Sequence, residues 1–101
     1  MKIPLQKCIE FEGKKIESLE LDIGSLTGND IVRARADAMA MSVERKEDYN
    51  PMDEGNPLYY VVIAGKAAGV APDLILALGA ADYTTVLFFV KNELMGGILP
   101  T

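Results

Sequence analysis

Histidine and tryptophan are absent from the 101 residues, and cysteine occurs once. Without histidine there is no Ser–His or Cys–His relay and no imidazole to ligate a metal. A single thiol, Cys8, excludes an internal disulfide and a zinc site built from several thiolates. Cys8 itself reads as a small, buried or half-buried strand residue. Neither glycine-rich phosphate signature, G-x-G-x-x-G or G-x-x-x-x-G-K-[ST], occurs. Clustered basic residues are also lacking, and a formal charge of −5 points away from a nucleic-acid surface. No apolar run approaches the roughly 20 residues of a membrane helix, and charges interrupt the N-terminus too early for a signal peptide. These absences describe an intracellular, soluble chain that binds neither nucleic acid nor membrane.

What is present is ordinary globular composition: 50% hydrophobic and 25% charged residues, enough for one domain with a small core. Ile3, Leu5, Ile9 and Phe11 share one parity, as on one face of a strand. A glycine turn, Glu12 to Lys15, leads to a second alternating run with Leu19, Leu21 and Ile23 on one side. The two runs form a β-hairpin over residues 1–25. Thr27 and Asp30 then have the spacing of an N-cap and a carboxylate that reaches back to it, with Leu26 and Ile31 as a hydrophobic staple. The helix that follows, 27–46, carries Val32, Ala36, Met39 and Val43 as its apolar stripe, with Arg33 and Asp37 paired on the outer face.

Residues 47–56 belong to a polar link, begun near Glu44 and broken by Pro51 and Gly55. Three helices occupy 57–95. The first opens with Asn56 as cap and Pro57 in the first turn, is strongly apolar, and ends at Gly69. A short one runs from Pro72 and Asp73 to Gly79. The last continues to Gly96 and Gly97, leaving 96–101 as a tail. The expected fold is a single mostly helical α+β domain, an N-terminal hairpin followed by about four helices packed as a small bundle.

Few residues suggest chemistry, and each has a plainer explanation. "DYNPMDEGNP", Asp48 to Pro57, has acids and a glycine like a calcium loop, but Met52 stands where a ligand belongs and no Glu closes it. Ser25 in "LDIGSL" resembles the serine of phosphopantetheine carriers, but Gly24 replaces the expected acid. Asp82 fits a first-turn carboxylate complementing the helix dipole better than a catalytic group. Lys66 reads as a snorkelling side chain. Gly65 and Gly69, four apart, read as tight packing within the chain. No catalytic residue, metal or cofactor is expected. Apolar surface remains. In the last helix Tyr83, Val86, Leu87, Val90 and Leu94 form the inward stripe, while Phe88 and Phe89 widen it, with Phe88 pointing away. Tyr83, Leu87, Phe88, Phe89 and Lys91 are the candidate partner-binding residues, and a homo-oligomer or another chain would cover them.

The order of features resembles the tail assembly chaperones of long-tailed bacteriophages. The likeness lies in "FEGKKIESLELDIGSLTGNDIVRARADA", a hairpin leading to an L-T-x-x-D helix start. It continues in "AGKAAGVAPDLILALGAADYTTVLFFVKNEL", where Gly ends one helix, Pro-Asp-Leu begins a short one and Ala-Asp-aromatic begins the last. The long link at 44–56 departs from the pattern. The resemblance implies a non-enzymatic factor of the host cytoplasm, absent from the mature virion. Such a factor binds the tape measure protein and helps tail-tube subunits assemble around it, often as an oligomer. Many members are made in two lengths by frameshifting, and this chain would correspond to the short form. An alternative of a different class is a small acidic inhibitor that binds a basic partner through Glu47, Asp48, Asp53 and Glu54.

Overall fold

Two consecutive residues with positive φ, Glu12 (52°) and Gly13 (78°), start the architecture. They are the centre of a two-residue turn between β1 (Lys2–Phe11) and β2 (Lys14–Glu20), which pair antiparallel with Phe11 opposite Lys14. Left-handed conformations at both central positions give a turn whose twist matches that of the strands. The computed structural model describes residues 2–44 and 57–96.

The hairpin is not regular. Ile3 lies opposite Leu19 and Ile9 opposite Ile16, and between Pro4 and Ile9 β1 advances five residues while β2 advances two. An odd slip reverses which face a strand presents. The irregularity thus brings Ile16, of the opposite parity to Leu19, level with Ile9. It also corrects the expectation for Cys8, which is exposed because it lies in the irregular stretch and not in a regular half-buried ladder. Strand β2 ends at Glu20, so Ile23 belongs to a 3₁₀ turn, Ile23–Ser25, and not to the strand. Asp22 N–H donates to the Ala67 carbonyl at 3.1 Å, tying this connection to the far end of the central helix.

Helix α1 (Gly28–Glu44) begins as its sequence dictates. Asp30 N–H donates to Thr27 Oγ1 at 3.3 Å, and Thr27 N–H donates back to Asp30 Oδ2 at 2.9 Å. This is a capping box with Asp in place of the usual Glu. The Thr27 N–H holds the Asp30 carboxyl below its ordinary pKa. The inward face of α1, however, is not the expected one. Ala34, Ala38 and Ser42 are buried, whereas Val32 (66% exposed), Ala36, Met39 (42%) and Val43 (72%) face outward. Small residues at i, i+4 and i+8 let α1 approach α2 closely, and larger side chains at those positions would hold the helices apart. Cross-contacts fix the same rotation. Asp37 pairs with Lys66 of α2 at 3.4 Å, not with Arg33, and the Arg35 guanidinium lies 4.8 Å from the Tyr59 ring centre.

Helix α2 (Pro57–Ala68) is buried from Leu58 to Gly65 and again at Ala67. A helix apolar all round must be surrounded, and α1, α3, α4 and the hairpin do so. Fully buried Val61 and Ile63 each contribute about 1.5–3 kcal/mol relative to exposure. Gly69 ends the helix at φ 70°, and Val70 N–H donates to the Gly65 carbonyl at 2.9 Å. A Cβ on Gly65 would stand 2.9 Å from the Val70 carbonyl oxygen and 3.3 Å from Pro72 N, so the close approach expected of Gly65 is made by the chain's own backbone. Helix α3 (Pro72–Leu76) buries Leu74 and Ile75. It stops short of Gly79, whose carbonyl instead accepts from Tyr83 N–H at 2.9 Å and opens α4 (Ala80–Gly96).

The architecture is the expected one: an antiparallel two-strand hairpin followed by four closely packed helices, mostly helical α+β. Among the described residues no helix is long and apolar enough to cross a membrane. The link at 45–56, with Asn56 as the expected cap of α2, and the tail at 97–101 lie outside the described residues.

Candidate functional site

Helix α4 places its side chains by rotation alone. Val86 and Val90 are fully buried, Leu87 is buried, and Tyr83 and Leu94 are half-buried, which is the inward stripe expected from the sequence. Phe88 lies two residues from Val86 and from Val90, roughly 200° round the helix at about 100° per residue. It is 69% exposed. Phe89, one step further, is half-buried.

Phe88 stands as a ridge between two clefts. The larger, about 380 Å³, runs between α4 and the start of β1 and is lined by Lys2, Ile3, Pro4, Thr85, Phe88, Phe89 and Asn92. On the other side Tyr83, Thr84, Leu87, Phe88 and Lys91 line a cleft of about 260 Å³. The Thr84 and Thr85 hydroxyls donate to the Ala80 and Ala81 carbonyls at 2.9 and 3.0 Å, so their donors are satisfied within α4. Lys91 Nζ lies 5.1 Å from the Tyr60 ring centre, a cation–π contact that steadies the lysine beside the smaller cleft.

The five residues singled out from the sequence are therefore neighbours. Tyr83, Leu87, Phe88 and Lys91 share one cleft, and Phe88 with Phe89 lines the other. The wall made by Lys2, Ile3 and Pro4 has no counterpart among the residues singled out from the sequence. Helical spacing places residues of α4 relative to one another, but nothing local in "MKIPL" says which helix will lie beside it.

What brings that wall into place is Asp82. It is buried, 3% exposed, and its two carboxylate oxygens accept the Gln6 N–H at 2.8 Å and the Lys7 N–H at 3.0 Å. The irregular stretch of β1 turns these two donors toward α4, and a first-turn acid receives them. The expected dipole role of Asp82 is thus joined by a longer-range one, which holds the strand against the helix.

A second exposed apolar face is the α1 stripe of Val32, Ala36, Met39 and Val43, and a third depression of about 300 Å³ lies between the hairpin tip and Gly69–Leu74. The other candidates have local roles. Ser25 Oγ donates to the Asp22 carbonyl at 2.9 Å, and Lys66 pairs with Asp37. The calcium-like segment from Asp48, and the acids Glu47, Asp48, Asp53 and Glu54, lie outside the described residues. Comparison with protein-family models, with curated proteins and with solved structures finds no match.

Proposed function

We propose that this protein is a non-enzymatic tail assembly chaperone of a long-tailed bacteriophage, acting in the host cytoplasm and absent from the finished particle. In this reading it covers helices of the tape measure protein and brings tail-tube subunits to them. The observation that carries the reading is Phe88, an aromatic side chain more than two-thirds exposed between two apolar clefts on a helix where Tyr83, Val86, Leu87, Phe89, Val90 and Leu94 are buried or half-buried. The order of hairpin, capped helix, apolar helix, Pro-Asp-Leu turn and Ala-Asp-Tyr helix start supports the family assignment.

The physical task suits such a surface. A long tail protein exposes apolar helix stripes until tube subunits surround it, and covering them prevents association with the wrong neighbours. Burying a Phe side chain contributes about 1.5–3 kcal/mol, enough for a reversible contact and too little alone for a permanent one. Repeated along a long helix, or multiplied by self-association of the chaperone, weak contacts give useful occupancy and still release.

The test is co-purification from phage-producing cells. Wild type should retain the tape measure protein, with or without tube subunits. Phe88→Asp should lose it while keeping an unchanged circular dichroism spectrum. Retention of the tape measure protein by a folded Phe88→Asp variant would remove α4 as the binding surface. Failure of the wild type to retain any tail protein would remove the reading itself.

A further inference from the structure

We infer that the two clefts beside Phe88 select a partner helix bearing carboxylates along the flanks of its apolar stripe. This rests on the reading of α4 as the partner-binding surface and adds the chemistry of the partner. In a chain of net charge −5, no Asp or Glu among the described residues lines either cleft, and the described lining of each has one lysine, Lys2 in the larger and Lys91 in the smaller. The contrast with the depression at the hairpin tip, where Glu12 accompanies Lys14, shows that this is not the rule over the whole surface.

Shape indicates a helix. A ridge between two hollows receives side chains from successive turns, one on either side, as helix surfaces interlock. Charge indicates its flanks. Apolar side chains entering the clefts would carry the neighbouring positions of the same helix past Lys2 on one side and Lys91 on the other. Carboxylates there gain two opposite-charge contacts, and ammonium groups suffer two like-charge ones.

The same argument turns away α4 of a second copy, because pairing α4 with α4 would set the lysines beside Phe88 against one another.

The experiment uses the full chain and three synthetic helical peptides with one shared apolar stripe, flanked by Glu, Gln or Lys. Binding is followed by fluorescence anisotropy at low and high salt. At low salt the Glu-flanked peptide should bind about tenfold tighter than the Gln-flanked one, the Lys-flanked peptide weakest, with the differences shrinking as salt rises. Lys2→Glu combined with Lys91→Glu should invert the order. Lys2→Glu alone, which leaves the Lys91–Tyr60 contact intact, should narrow it. Equal binding of the three peptides, no binding of any, or an unchanged order in the double variant overturns the inference. If Phe88→Asp nonetheless abolishes capture of the tape measure protein, the proposed function survives that result. A dimer in sedimentation that Phe88→Asp dissolves would assign the surface to a second copy and overturn the acidic partner.

Discussion

Helices α1 and α4 are both 17 residues long, both pack on α2, and both leave large apolar side chains outside. They do so in opposite ways. Helix α4 turns Val86, Leu87 and Val90 inward and leaves Phe88 out, so its bulk is mostly buried. Helix α1 turns Ala34, Ala38 and Ser42 inward and leaves Val32, Met39 and Val43 out. Hydropathy alone identifies the inward face of α4 and misidentifies that of α1. Where a neighbour is already apolar all round, closeness of approach can outweigh side-chain size, because small residues admit more backbone and neighbouring atoms to contact. A stripe of alanines opposite a strongly apolar helix is therefore as much a packing signal as a stripe of valines.

The first-turn acids sharpen the contrast, and the larger effect belongs to α4. Asp82 receives two backbone donors from a strand, so Asp82→Asn should cost about 3 kcal/mol in urea unfolding. The amide can replace only one of the two acceptors and sets its own donor against the other N–H. Next come the inward faces. Ala38→Leu should destabilise by about 1–3 kcal/mol through overpacking, and Val90→Ala by about 2 kcal/mol through the cavity it leaves. An unharmed Ala38→Leu would mean that α1 does not press on α2 as closely as described.

Asp30 gives a smaller effect with a definite sign. Its folded pKa lies below the unfolded one because Thr27 N–H favours the carboxylate. Its contribution is present above the unfolded value, roughly 4, and is lost as the pH falls through the lowered folded value. Asp30→Ala should therefore flatten the acid limb of a stability–pH profile and leave the neutral-to-alkaline limb parallel to wild type. The smallest effects lie outside. Val43→Ala and Phe88→Ala should each alter stability by no more than about 0.5 kcal/mol, read from the same urea curves.

Much of the fold is legible because its boundaries are chemically local. Glu12-Gly13, Thr27 with Asp30, Pro57, Gly69 and Pro72 each act on the backbone within a turn or two of themselves, so spacing reveals them. Likewise Phe88 stands outward by rotation from Val86 and Val90. What was not legible depends on a second surface. The slip in β1 and the exposure of Cys8 arise from how β1 meets both β2 and Asp82. The facing of α1 depends on α2, and the Lys2–Pro4 wall on which helix lies beside it. None of these has a signature within its own ten residues.

The hydrogen bonds from Gln6 and Lys7 to Asp82 join points 76 and 75 residues apart in sequence. Their consequence is one of timing. The strand that walls the larger cleft is synthesised before the helix that completes it, so no ribosome-bound fragment ending before α4 can present that cleft. The surface comes into being only once both β1 and α4 are available. A partner emerging from a neighbouring ribosome would meet that cleft only after α4 has joined β1.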